Sequence, residues 1–163
     1  MNAAGTETLS GATLSGQMVE GEHRLALRIY YEDTDAGGIV YYARYLQFAE
    51  RARTEILRLA GIEQTKLRDS HDVIFAVSRC EVTYRRPARL DDLVEVRSRL
   101  VGLRGAKLSA VQTVWRAGEE LVRVAVDVAA VRGDGRPTRI PAPVRAALEP
   151  FVQQPFVQPL EQG

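Results

Sequence analysis

The chain has 163 residues, 45% hydrophobic and 26% charged, a balance that fits one globular domain with a core and excludes a disordered composition. Its 22 basic and 21 acidic side chains leave a net charge of +1, too little for the long-range field of a nucleic-acid binder. A single cysteine, Cys80, excludes an internal disulfide framework and a cysteine-rich zinc site, and no stretch approaches the roughly 20 apolar residues of a membrane span.

Residues 1–22 are small, polar and glycine-rich. They carry neither the basic start and apolar block of a secretory signal nor the arginines of a transit peptide, so they read as a disordered leader to a cytoplasmic protein. His23–Tyr31 alternates, with Leu25, Leu27 and Ile29 on one side, and predicts a strand. A glycine-containing loop follows. From Ala43 to about Ala60, residues Tyr45, Phe48, Ala49, Ala52, Ile56 and Leu59 recur at helical spacing, while Leu46 and Leu57 widen the apolar face. Gly61 ends this helix, and a shorter helical turn is expected over Glu63–Asp69.

Period-two segments then run over Val73–Arg85, Leu93–Leu103, Lys107–Arg116 and Glu120–Val131, separated by turn-forming stretches. Gly133–Pro137 turns the chain again, and residues 150–163, rich in proline and glutamine, read as a flexible tail. The folded unit is therefore about residues 23–149. One strand, one long apolar helix and four further strands predict an α+β fold, a helix wrapped by a five-stranded, mainly antiparallel sheet. Valines on both faces of the last strand lead to the expectation that another subunit covers the outer sheet face.

The chemistry-bearing stretch is Tyr31-Glu32-Asp33-Thr34-Asp35-Ala36-Gly37-Gly38-Ile39-Val40-Tyr41-Tyr42. A calcium loop starting at Asp33 would need an oxygen ligand at Gly37 and a bidentate glutamate at Arg44, and has neither. No phosphate-loop pattern is present. Two readings remain: acids that complement a helix dipole beside a glycine turn, or a carboxylate held for chemistry. The apolar run Ile39–Tyr42 favours the second, because it would draw the loop beneath a hydrophobic cover.

This stretch, continuing through Ala43 to Leu57, resembles the signature of hotdog-fold acyl-CoA thioesterases of the 4-hydroxybenzoyl-CoA thioesterase family, and within it the Tol–Pal-associated, YbgC-like branch. Tyr84–Val96 and Val131–Pro141 are similar to later segments of that branch, so the resemblance spans about residues 24–141. It implies a hotdog fold and hydrolysis of an acyl-CoA to free acid and coenzyme A. Asp35 falls on the family's catalytic carboxylate, acting as nucleophile or as general base for water. Tyr42 stands where the branch usually has histidine and can line the site or donate a hydrogen bond, since a phenol titrates near pH 10. Gly38 and Tyr41 fall on the substrate-binding part of the motif, and the Tyr42 or Gly38 N–H is the expected oxyanion donor.

The resemblance implies no metal and no cofactor, coenzyme A being part of the substrate. It implies a homodimer or homotetramer with acyl-CoA lying across a subunit interface, and a link to acyl carrier protein and to the inner-membrane surface. The second reading is a non-catalytic acyl-binding or protein-interaction hotdog module of the Tol–Pal system, to which Tyr42 gives weight. A hotdog dehydratase would need a histidine in the site, and residues 30–60 contain none.

Other residues read more plainly. Glu50 is expected to pair with Arg53 on the helix surface, and Asp33 to accept loop hydrogen bonds. Cys80 reads as a packed thiol, and His23 and His71 cannot form a metal site by themselves. Only Lys66 and Lys107 among the basic residues are lysine, which reads first as a compositional preference for arginine. Arg85, Arg86 and Arg89 are nonetheless candidates for the phosphates of coenzyme A, since guanidinium contacts phosphate through two hydrogen bonds.

Overall fold

The computed structural model describes residues 14–153. Strands β1 (Gln17–Val19) and β2 (Glu22–Arg28) precede a 3-10 turn at Tyr31–Asp33, the long helix α1 (Arg44–Leu59) and the short helix α2 (Gln64–His71). Strands β3 (Ile74–Tyr84), β4 (Leu93–Arg104), β5 (Lys107–Arg116) and β6 (Glu119–Val131) follow, then α3 (Ala142–Leu148) and a final 3-10 turn at Glu149–Phe151. They form one antiparallel sheet in the order β1-β2-β4-β5-β6-β3. Among the described residues no helix is long and apolar enough to cross a membrane.

The sheet has six strands where alternation predicts five. The extra one, β1, lies inside the stretch read as a leader, and residues 1–13 of that stretch lie outside the described residues. Its three residues have no core-facing alternation to advertise them; they are held by the β1–β2 ladder and by Gly21, whose left-handed backbone (φ 78°) turns the chain. At the other end Val152 bridges Leu100 and the Gln153 N–H donates to the Leu100 carbonyl, so the chain is tied to β4 up to that point. Helix α3 had no sequence expectation: seven residues are too few for a visible period.

Helix α1 buries Tyr45, Phe48, Ala49, Ala52, Ile56 and Leu57 against the valine-rich inner face of the sheet, where Val94, Val96, Val114, Val122, Val124 and Val126 are all sequestered. Leu46 and Leu59, expected on the same face, are partly exposed. A buried polar bridge crosses this interface. Gln112 on β5 donates from Nε2 to the Ala49 carbonyl (2.9 Å) and to Ser98 Oγ (2.9 Å), and its Oε1 accepts from Arg53 Nη1 (2.7 Å).

The opposite face of the sheet differs from the apolar surface expected. On β4–β6 it carries charge pairs, Arg97–Glu95, Lys107–Asp127 and Arg123–Glu120, because Val122, Val124, Val126 and Val128 point inward and Arg123 and Asp127 point outward. Exposed apolar groups lie on the β3 edge, at Ile74, Val77 and Tyr84, and on β4, at Leu93 and Val101.

Replacing Gln112 by leucine removes the acceptor of Arg53 Nη1 and the donor to the buried Ser98 hydroxyl. Urea denaturation is expected to show a loss of about 1–3 kcal/mol, the cost of buried polar groups left unpaired, with the slope of the transition unchanged.

Candidate active site

The loop after β2 is built by its own acids. Asp33 is buried, and its Oδ2 accepts from the Tyr30 N–H (2.8 Å), closing the 3-10 turn; its Oδ1 lies 3.8 Å from Arg44 Nε at the start of α1. Arg44 also donates to the Glu32 carbonyl (2.8 Å), so one arginine ties the loop to the helix it precedes. Asp33 is thus the loop acceptor anticipated, held in place by Arg44.

Asp35 opens the next turn. Its N–H donates to the Ile39 carbonyl (2.9 Å), and its carbonyl and Oδ1 accept from Gly38 (3.0 Å) and Gly37 (2.8 Å). Gly38 sits at φ 75°, a backbone that side chains rarely adopt. Asp35 is exposed, and its Oδ2 has no donor among the described residues. The apolar run after the glycines covers less than expected: Val40 is buried, but Tyr41 and Tyr42 are 46% and 61% exposed. The run climbs out of the core to reach the helix start instead of passing under it.

At that start, α1 has Ala43 at its N-cap with no side-chain cap. The Arg44 N–H donates to the Tyr41 carbonyl (2.8 Å), whereas the Tyr42 and Ala43 N–H groups donate to no acceptor among the described residues. The Gly38 N–H, one of the two expected oxyanion donors, is committed to the Asp35 carbonyl. Unspent donors at a helix N-terminus, with the helix's partial positive charge behind them, suit an oxygen that gains negative charge.

Beside them an open cleft of about 280 Å³ is walled by Ile39, Tyr42, Tyr45, Tyr84, Arg85 and Arg86. The structure therefore brings Tyr42, Arg85 and Arg86 together, while Asp35, Gly38 and Tyr41 lie outside this wall, joined to it through Ile39. Arg85 and Arg86 make exposed pairs with Glu120 and Glu119, and Arg89 lies outside the wall. Tyr84 is the wall residue the sequence did not single out. Its hydroxyl donates to the Tyr42 carbonyl (2.9 Å), and the Tyr42, Tyr84 and Tyr45 rings meet edge to face. Its place on the inner face of β3, two residues after Val82 and just before Arg85-Arg86-Pro87, was the available signal.

Hydrogen bonding with Tyr42 raises Tyr41 above the ordinary phenol value, and burial raises Tyr45 and Tyr84. None of these three is a base at neutral pH.

The far wall is pinned from behind. The Ala88 N–H donates to Tyr45 Oη (2.9 Å), and the Ala88 carbonyl accepts from the Val40 N–H (2.9 Å). Asp92 Oδ2 accepts from the Arg89 N–H (2.8 Å) and from Arg116 Nη1 (2.7 Å). Partial burial pushes the Asp92 carboxyl up, but the bonds from Arg116 and Arg89 outweigh it and hold the group below the usual carboxylate range.

The remaining polar residues lie elsewhere. Glu50 is exposed and pairs with Arg53 as expected. His23 is fully buried with Nε2 2.6 Å from the Ser15 carbonyl; burial drives its pKa down, against the opposing influence of Ser15 and Glu55, so it is neutral at pH 7. Cys80 is exposed instead of packed, because β3 is an edge strand with nothing beyond it. Among the described residues no group of three His, Cys, Asp or Glu side chains is placed to hold a metal ion.

A sequence profile described as the thioesterase-like superfamily matches residues 30–148, and the chain belongs to that superfamily. It is 40% identical over 131 residues to the acyl-CoA thioesterase YbgC of Haemophilus influenzae, covering 80% of this chain and 96% of that one. It is 44% identical over 102 residues to the acyl-CoA thioester hydrolase YbgC of Escherichia coli O6:H1, covering 63% and 75% respectively. Among solved structures, a probable thioesterase from Bartonella henselae superposes with a TM-score of 0.71 at 36% identity, over 74% of this chain and 99% of that one. The architecture is that of the hotdog fold, and the chain is a thioesterase.

Asp92→Asn removes a carboxylate whose folded pKa is depressed. Its contribution is present above the unfolded value near 3.9 and is lost as pH falls through the folded value. The variant should be less stable than wild type at pH 7 by on the order of 1 kcal/mol, allowing for partial exposure. Urea midpoints measured from pH 7 to pH 3 should converge at the acid end.

Proposed function

We propose that this protein hydrolyses an acyl-CoA thioester to the free acid and coenzyme A. Two features of one short segment support the reading: Asp35 has a carboxylate with one unengaged oxygen, and the helix start that follows has Tyr42 and Ala43 N–H groups that donate to no acceptor among the described residues. The names of the YbgC relatives support the substrate class. Asp35 either attacks the thioester carbonyl or takes a proton from water that does so. The carbonyl oxygen, as it gains charge, is met by the N–H groups at the start of α1. The thiolate of coenzyme A leaves and is protonated, and water supplies the oxygen of the acid, so the reaction calls on no metal or other cofactor.

Tyr42 and Tyr84 form the apolar wall against the acyl part. Tyr41, beside the turn at Gly38, flanks the entrance, and Arg85 and Arg86 meet the phosphates of coenzyme A. Acyl carrier protein is the alternative carrier of the thioester, and a homodimer or homotetramer at the inner-membrane surface is the working form.

A panel of acyl-CoA esters from short to long, aliphatic and aromatic, tests this. Asp35→Asn keeps the size of the side chain and its Gly37 bond but removes the charge; kcat should fall by about 10²–10⁴ while binding persists. Tyr42→Phe should change kcat little, since the site uses its backbone N–H and its ring. Binding without turnover by wild type across the whole panel would instead support the acyl-binding module linked to the Tol–Pal system, and full activity of Asp35→Asn would refute the mechanism.

A further inference from the structure

One peptide unit at the start of α1 joins two groups that matter: its N–H is the unspent Ala43 donor, and its carbonyl is that of Tyr42. The peptide is trans, so the two groups point in opposite directions and whatever fixes the carbonyl also aims the N–H. The helix itself does not fix it. In a regular α-helix the Leu46 N–H would reach back to the Tyr42 carbonyl. Here it donates to the Ala43 carbonyl instead (3.2 Å), a tighter 3-10 closure, and the Tyr42 carbonyl accepts no main-chain N–H outside the helix ladder among the described residues. Its partner is the Tyr84 hydroxyl, which donates to it at 2.9 Å from 42 residues away.

That hydroxyl is well held. Tyr84 ends β3 opposite Val122 of β6, and the Arg85 and Arg86 N–H groups both donate to the Leu121 carbonyl (2.8 and 3.1 Å), which ties down the end of the strand. The Tyr84 ring meets the Tyr42 and Tyr45 rings edge to face, with centroids 6.3 and 5.9 Å apart. Tyr45 is in turn anchored, its oxygen accepting from the Ala88 N–H. Burial raises the Tyr84 phenol above its ordinary value near 10, so the proton stays on the oxygen that donates it.

We propose that Tyr84 is a positioning residue: by holding the Tyr42 carbonyl, its hydroxyl turns the Tyr42–Ala43 peptide so that the Ala43 N–H faces the thioester oxygen as charge develops there. The proposal rests on the thioesterase reading and adds to it the group that aligns the donor. Without the hydroxyl, rotation of the peptide about its flanking bonds is less restrained. A reversed peptide would present the Tyr42 carbonyl, its negative end, to an oxygen gaining negative charge. The hydroxyl also polarises the peptide it holds, since a carbonyl that accepts a hydrogen bond makes its own N–H a stronger donor. The two phenols of the cleft wall therefore differ in what they supply. Tyr42 gives main chain and ring, and Tyr84 gives its oxygen.

Tyr84→Phe removes that oxygen and keeps the ring contacts. On the best acyl-CoA of the panel, kcat should fall about tenfold, the order of effect of one hydrogen bond, with KM unchanged. The pH profile of kcat should keep its shape, because the phenol transfers no proton. Two ligands separate alignment from packing. A trifluoromethyl ketone analogue of the acyl-CoA, bound as its hydrate, resembles the tetrahedral intermediate and should lose affinity by the same factor as kcat. A thioether analogue, which has no carbonyl, should bind wild type and variant alike. Tyr84→Leu, which removes the ring as well, should weaken thioether binding too, and circular dichroism checks that each variant is folded. Full kcat in Tyr84→Phe, or a loss that appears equally in KM and in thioether binding, overturns the proposal and leaves the thioesterase reading in place. Failure of wild type to hydrolyse any ester of the panel overturns that reading, and the proposal falls with it.

Discussion

Everything around the cleft hangs on Ala88. Its N–H reaches the hydroxyl of Tyr45 on α1, and its carbonyl takes the N–H of Val40 at the end of the acid loop. The residue is fully buried, so each of these bonds, once broken, leaves a polar group with no water to replace its partner. Three segments distant in sequence, the acid loop, the first turn of the long helix and the loop after β3, are thereby held at one point. Tyr45 has a double duty: its ring packs edge to face on Phe48 and Tyr84, and its oxygen is the anchor.

The charges near the site are arranged to position and not to react. Asp33 and Arg44 lock the loop to the helix, and Asp92 and Arg116 lock the opposite wall to β5. In both cases the carboxylate also accepts a backbone N–H, so it is oriented as well as neutralised. Asp35 differs in kind. It has no cationic partner among the ion pairs of the described residues, and it is held only by the small turn it builds. In the proposed mechanism an unneutralised carboxylate keeps the electron density that attack on a carbonyl requires.

How much of this was legible in the sequence follows from the range of the interactions involved. The helix at Arg44–Leu59 and strands β3–β6 were read within a residue or two, because burial on one face writes a period into the chain. A short local motif singles out Asp35, and chemistry singles out Arg85 and Arg86; the structure places the two arginines in the cleft wall and Asp35 outside it. Tyr84 was missed because its partner, Tyr42, is 42 residues away, and alternation shows only that Tyr84 faces inward. The Ala88 and Arg116 tethers are main-chain or turn contacts with no period at all. The outer sheet face reads as apolar when Ala125, Ala129 and Val131 are weighed without Arg123 and Asp127 between them and the charged residues of β4 and β5 beside them. Cys80 was misread for a related reason, since a period-two pattern cannot tell a central strand from an edge strand.

The open edge and the exposed tyrosines are two aspects of one fact. Tyr42 and Tyr84 are both more than two-fifths exposed, and Tyr84 ends the strand whose outer edge has no partner among the described residues, although large aromatics are costly to leave in water. A bulge at Ser78 spends one residue to keep Phe75 and Val77 on the same face as Cys80, Val82 and Tyr84. Without it, the first half of the strand would turn its apolar side chains away from the helix. One extra residue therefore keeps Phe75 and Val77 on the helix side of the sheet, in line with Tyr84 at the cleft.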